Sequence, residues 1–134
     1  MKIRKAKEAD RESFIQIYLS AFTTADEDNA KNLFEEKLSN PMTGFILLAE
    51  EDEKIVGIVA VDIIELMGHI VGLAVTQAYR QRGIGTSLIK EAIESTTKMN
   101  RNVRNLIMTG GKHTVKIAKK FGFIQNDFIW VKCV

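Results

Sequence analysis

The run YRQRGIGTSL, residues 79–88, stands directly behind the strand-like stretch HIVGLAV, residues 69–75, and opens an apolar helix pattern. Gly83 and Gly85 lie between strand and helix, flanked by Arg80 and Arg82. A helix N-terminus leaves several backbone N–H groups without internal partners, and the macrodipole makes that end partially positive. Glycines let the main chain turn tightly and approach a bulky ligand, so the loop has the makings of a seat for pyrophosphate. Arg80 and Arg82 would add charge-assisted contacts. Two familiar phosphate motifs do not fit. A dinucleotide fingerprint needs a third glycine where Leu88 stands, and a Walker loop needs Ser or Thr where His113 follows Gly111-Lys112. A plain turn is the competing reading of the glycine pair.

Working outward, MKIRKA alternates apolar and basic residues and predicts an edge-like first strand. Asp10 is placed to cap a helix carrying Phe14, Ile17, Tyr18, Ala21 and Phe22 on one face. A second helix runs through DEDNAKNLFEEKLSN, burying Leu33, Phe34 and Leu38, and stops before Pro41. GFILLAE and KIVGIVAVDII read as two strands joined by the acidic turn EDEK. After HIVGLAV, a helix from Gly83 to about Asn100 turns Ile84, Leu88, Ala92 and Ile93 inward. VRNLIMT is a strand, KHTVKIAKKF a helix, and DFIWVKCV a closing strand centred on Phe128 to Cys133. The order β-α-α-β-β-β-α-β-α-β predicts an α/β fold, a mixed sheet with helices on its faces, in one domain over residues 1–134. In the last strand both faces carry apolar groups, which suits burial between helices or cover by a partner chain.

The chain has 134 residues, enough for one ordinary domain, and 46% hydrophobic and 27% charged residues place it among globular proteins. No apolar run approaches the ~20 residues of a membrane span, and no secretory signal opens the chain. One cysteine, Cys133, excludes an internal disulfide, and no Cys/His spacing suggests a metal site. Cytoplasm is the expected location, with no membrane partner. The net charge of +2 hides a split. Residues 1–70 hold 8 Lys/Arg against 14 Asp/Glu, while residues 71–134 hold 11 against 3. That asymmetry suggests an anionic ligand on the C-terminal half and a cationic one near the N-terminal half.

LAVTQAYRQRGIGTSLI resembles the acyl-CoA-binding motif of the GNAT superfamily of N-acyltransferases, Arg/Gln-x-x-Gly-x-Gly/Ala, matched by Arg80-Gln81-Arg82-Gly83-Ile84-Gly85. KIVGIVAV looks like the family's central strand and AKKFGF like its helix end followed by Gly-Phe. The resemblance implies a GNAT-type fold of six or seven strands flanked by about four helices. It also implies acetyl-CoA as co-substrate, with no metal, and N-acetylation of a primary amine on a small molecule, amino acid or protein. In such a fold the fourth strand splays from the fifth. The main chain at Leu73, Ala74 and Val75 then pairs with the pantetheine arm as an added strand would. Backbone N–H groups from Arg82 through Gly83, Ile84 and Gly85 to Thr86 hold the pyrophosphate, and the N–H near Val75 polarises the thioester carbonyl. His69 occupies the place where many members supply a general base, and imidazole suits that task at neutral pH. Glu65, Asp62 and acids of the second helix are the alternatives.

Two features depart from the family. The tyrosine that members carry four residues before the Gly of Gly-Phe is Ala118 here, and the preceding asparagine position is Gly111. Loss of a general acid costs on the order of 10²–10⁴ in rate, although a thiol of pKa near ~8.5 is a tolerable leaving group. Water or His113 could take that part. A non-catalytic acyl-CoA-binding module regulating a protein partner is therefore the second reading. A nucleic-acid surface on the basic C-terminal half lacks interleaved aromatic residues, so no nucleic-acid partner is expected. Either a monomer or a homodimer fits the chain.

Overall fold

The computed structural model describes residues 1–22, 24–99, 102–109, 112–126 and 129–134, without the side chains of Lys112, His113 and Asn126. In chain order the elements are β1 (Lys2–Lys5), α1 (Arg11–Ala21), α2 (Glu27–Ser39), β2 (Gly44–Glu51), β3 (Lys54–Ile64), β4 (Met67–Val75), α3 (Ile84–Met99), β5 (Asn105–Met108), α4 (Lys112–Lys120), β6 (Ile124–Asn126) and β7 (Ile129–Cys133). The seven strands form one sheet in the order β1-β2-β3-β4-β5-β7-β6. Among the described residues β4 and β5 are the one parallel pair, joined by a crossover through α3. The fold class is thus the expected mixed α/β sheet with four α-helices. Residues 124–126 form a strand of their own, so two strands follow Phe123 where the sequence pattern emphasised one. Gly111 and Phe128 lie outside the described residues.

Each face of the sheet has its own core. Phe14, Ile15, Ile17, Ala30 and Phe34 of α1 and α2 pack on Ile46, Leu48, Ile58, Ala60 and Ala74. On the other face Ile84, Leu88, Ile89 and Ala92 of α3 and Ala118 of α4 pack on Phe45, Val59, Val61, Leu106 and Trp130. The alternation along β2 and β3 feeds both cores, which is why those strands read as continuous apolar runs rather than alternating ones. Three expected contacts differ. Ala21 is exposed, and Leu33 and Leu38 are half-buried, since Ala30, Phe34 and Lys37 form the inward stripe of α2. Asp10 precedes α1 but does not cap it. Its carboxylate accepts from Lys7 N–H at 2.7 Å and from both Arg4 nitrogens at 2.8 Å, tying β1 to the start of α1. Asp26 is the side chain that caps a helix, accepting from Asn29 N–H at 2.7 Å.

Candidate active site

The site is made by an irregularity in β4. Along β3–β4, Ala60 faces Gly72 and Val61 faces Ile70, leaving Val71 as an extra residue. Such a bulge bends the strand and shifts its alternation. Before it, Ile70 joins the α3 core and Val71 the α1 side. Beyond it, Leu73 and Val75 turn to the α3 side and Ala74 to the α1 side. Gly72 makes room for α1: a Cβ there would lie 3.2 Å from Tyr18 Cε2 and 3.6 Å from Phe22 Cε2. The bulge also marks where β4 and β5 part. Their pairing runs from Met67 opposite Asn105 to Ile70 opposite Met108, and β5 ends there.

The main-chain groups past the bulge can be assigned one by one. Thr76 N–H donates to Val56 O at 2.8 Å. In the antiparallel register of β3 and β4, Ala74 and Gly72 then turn their N–H and C=O toward β3. Leu73 and Val75 therefore direct theirs to the opposite edge, where no strand pairs with them among the described residues. Of the three residues expected to meet a pantetheine arm, Ala74 is thus committed to the sheet, while Leu73 and the N–H of Val75 are available, the Val75 C=O being held by Arg80. The cleft between the strands is lined by Phe22, Ile70, Val71, Leu73, Met108 and Thr114.

At the head of this cleft, α3 begins. Gly83 O accepts from Ser87 N at 3.0 Å, so the N–H groups of Ile84, Gly85 and Thr86 have no partner inside the helix. Gly83 has φ 80°, the left-handed region, and a Cβ on it would meet nothing within 4 Å. Gly85 differs: its missing Cβ faces Ile117 Cδ1 at 3.3 Å and Val75 Cγ2 at 3.8 Å, so it serves packing. Gln81 also has positive φ, 65°. Ile84 is buried beneath the loop. Arg80 folds back, its Nε donating to Val75 O at 3.0 Å. Arg82 lies over the Tyr79 ring at 4.9 Å. Both guanidiniums are exposed beside the helix start. Open space at Gly83, the first N–H groups of α3, and the Leu73 amide groups and Val75 N–H that no strand pairs with among the described residues together fit a ligand with a phosphate head and a peptide-like arm.

His69 sits on the α1–α2 face of β4, opposite Asp62 on β3, and its Nε2 is buried with no partner among the described residues. Glu65 is at the exposed tip of the β3–β4 hairpin, and the acids of α2 are exposed. Ala118 is fully buried in the core beneath α4 and puts no polar group toward the cleft. Sequence reasoning missed Lys37. Its side chain is 1% exposed and reaches Thr43 O at 3.1 Å, Glu36 Oε1 at 3.2 Å and the Asp62 carboxylate. A lysine on the inward stripe of α2, between Phe34 and Leu38, was the available signal. The Tyr18 hydroxyl is held above the usual tyrosine range by burial and by the negative charge of Asp62, so it keeps its proton. No helix is long and apolar enough to cross a membrane, and no group of three potential metal ligands occurs, among the described residues.

The Acetyltransferase (GNAT) family model matches residues 11–123. An uncharacterised N-acetyltransferase of Archaeoglobus fulgidus is 32% identical over 79% of this chain and 80% of its own length. An uncharacterised N-acetyltransferase of Methanocaldococcus jannaschii is 28% identical over 98% of this chain, which spans 65% of that longer protein. A predicted acetyltransferase of Clostridium acetobutylicum, solved with acetyl-CoA, superposes with a TM-score of 0.82 at 21% identity, covering 94% of this chain and 91% of that one, a likeness of fold. A β4 that runs on past the end of β5, a glycine-led helix start and a family match over most of the length agree: the chain belongs to the GNAT family and is an acetyltransferase.

Proposed function

We propose that residues 1–134 act as one catalytic domain that moves an acetyl group from acetyl-CoA to a primary amine by direct attack. The observation that carries this reading is the unpaired stretch of β4 beside the start of α3. Acetyl-CoA supplies the acetyl group, activated as a thioester. Leu73 offers its N–H and C=O, and Val75 its C=O, to the amides of its arm, as a neighbouring strand would. The N–H groups from Arg82 to Thr86 take the pyrophosphate, with Arg80 and Arg82 at the rim. Arg80 Nε leaves Val75 O when the arm arrives. The Val75 N–H is aimed so that it stabilises the oxygen on which negative charge develops. His69 Nε2 accepts the proton that the amine loses, directly or through a water. The departing thiolate takes its proton from solvent, since Ala118 offers none.

The acceptor approaches from the α1–α2 side, where Asp26, Glu27, Asp28, Glu35 and Glu36 are exposed, and a cationic small molecule, amino acid or protein N-terminus suits that field. A buried alanine at the place of the family's tyrosine favours one other reading, an acyl-CoA-binding module that regulates a partner. CoA release from acetyl-CoA, followed with a thiol reagent across a panel of primary amines, separates the two. Transfer to at least one amine class, lost by on the order of 10²-fold in His69→Gln, supports the enzyme. Tight acetyl-CoA binding without release to any amine or to water would leave only the module.

A further inference from the structure

Four polar side chains from four elements meet on one face of the sheet: Tyr18 from α1, Lys37 from α2, Asp62 from β3 and His69 from β4. Burying an ammonium is costly, and an apolar residue on the α2 stripe would fill the same space without that cost. Lys37 is nevertheless buried, and it grips the Asp62 carboxylate from one side while Thr43 O and Glu36 hold its remaining protons. Asp62 stands directly across the ladder from His69. Side chains so paired have Cβ atoms about 4.5–5.5 Å apart. On the other flank His69 faces Ile107 of β5, which carries no charge. Among the described residues, the charged and titratable groups around the imidazole are therefore Asp62, Lys37 with its second partner Glu36, and Tyr18.

Resting on the acetyl-transfer reading above, we infer that Asp62, anchored by the buried Lys37, is a positioning residue that serves as the charge partner of His69 during proton transfer. As the amine nitrogen forms its bond to the acetyl carbon, its proton passes to His69 Nε2, and the ring becomes a cation in a place sheltered from water. The Asp62 carboxylate compensates that charge across the ladder. Lys37 prevents the carboxylate from swinging out to solvent, where its field would be screened. In the resting protein Asp62 is bound to Lys37 and makes no hydrogen bond to the imidazole, so its contribution is electrostatic and appears only when the ring is charged. Glu65, at the exposed hairpin tip, has no comparable anchor.

The test is a double-mutant cycle on the full chain, reading CoA release with water alone and with a primary-amine panel, beside calorimetric binding of acetyl-CoA and thermal unfolding. Asp62→Asn should lower kcat at least about tenfold while KM and calorimetric affinity for acetyl-CoA stay within about twofold. Asp62→Glu should recover part of the rate, and Lys37→Met should lose rate in the same direction. In a His69→Gln background, Asp62→Asn should cost nothing further. An equal loss from Asp62→Asn with and without His69 would make the Lys37–Asp62 pair a structural tie only, leaving His69 as the base. A His69→Gln variant with the wild-type rate would remove the base itself, and this inference with it.

Discussion

Gly83→Leu separates a phosphate seat from an ordinary turn. Gly83 has φ 80° and open space where its side chain would begin, so leucine introduces backbone strain but no clash in the free protein. Strain of that kind costs on the order of 1 kcal/mol. For 134 residues this lowers Tm by about 3–5 °C. In the wild type, acetyl-CoA at ~100 times its Kd adds about 2.7 kcal/mol, a rise of about 8–13 °C. A leucyl side chain in the seat that weakens binding ~100-fold leaves only about 0.4 kcal/mol of that, or roughly 1–2 °C. Gly85→Ala is the control. Its methyl turns inward to Ile117 and Val75, and the first helical turn gains up to about 1 kcal/mol of propensity against mild crowding. Its ligand-induced rise should match the wild type. The assay is thermal unfolding of all three proteins with and without acetyl-CoA. A full rise in Gly83→Leu, or equal losses at both glycines, would refute the assignment of the seat to Gly83.

Three further outcomes follow from the fold. A Cβ at Gly44 would fall on the carbonyl oxygen of Val61, so Gly44→Ala should cost about 3 kcal/mol or more and show as a collapsed Tm or insoluble protein. The β2–β3 turn places Asp52 and Glu53 at φ 53° and 63°, a pair of positive angles that favours glycine second, so Glu53→Gly should raise stability by about 0.5–1 kcal/mol in urea unfolding. The Arg4 guanidinium, and then Lys7 N–H, hold the Asp10 carboxyl below its ordinary 3.8, against the opposing effect of burial. A depressed folded-state value stabilises above pH ~3.8 and is lost as pH falls through the lower, folded value. The Tm gap between wild type and Asp10→Asn should therefore be full at neutral pH and narrow below about pH 4. A gap that widens in acid would contradict the pairing.

The elements were legible because each strand and helix advertises a different period, and the glycine loop because Gly83 and Gly85 sit at a strand-to-helix boundary. What stayed hidden depends on register. Nothing in HIVGLAV states that Val71 is supernumerary, although a glycine inside a strand, here Gly72, is the usual companion of a bulge. Without the bulge, simple alternation would set His69, Leu73 and Val75 on one face, whereas the protein puts His69 on one side and the other two on the opposite side. Ala74 seemed equivalent to its neighbours until the Thr76–Val56 hydrogen bond fixed the phase of the ladder. Lys37 escaped because charge argues for exposure unless a partner is known, and Asp62 is 25 residues away in sequence. Asp10 sat in a capping position, but the two donors of Arg4 outcompete the single N–H that a cap would satisfy.

The half of β4 that no strand pairs with among the described residues has a consequence for self-association. An unpaired strand normally lies at the outer margin of a sheet, where short length, charge or a bulge discourages other chains from docking. Here, among the described residues, the unpaired stretch lies inside the sheet at Leu73 and Val75, which carry no charge of their own. The defence falls to Arg80, whose side chain covers Val75 O from the loop. On the function proposed above, the arm of acetyl-CoA laid along Leu73 and Val75 would act as a neighbouring strand, so binding the co-substrate would also guard this stretch against pairing with a second copy.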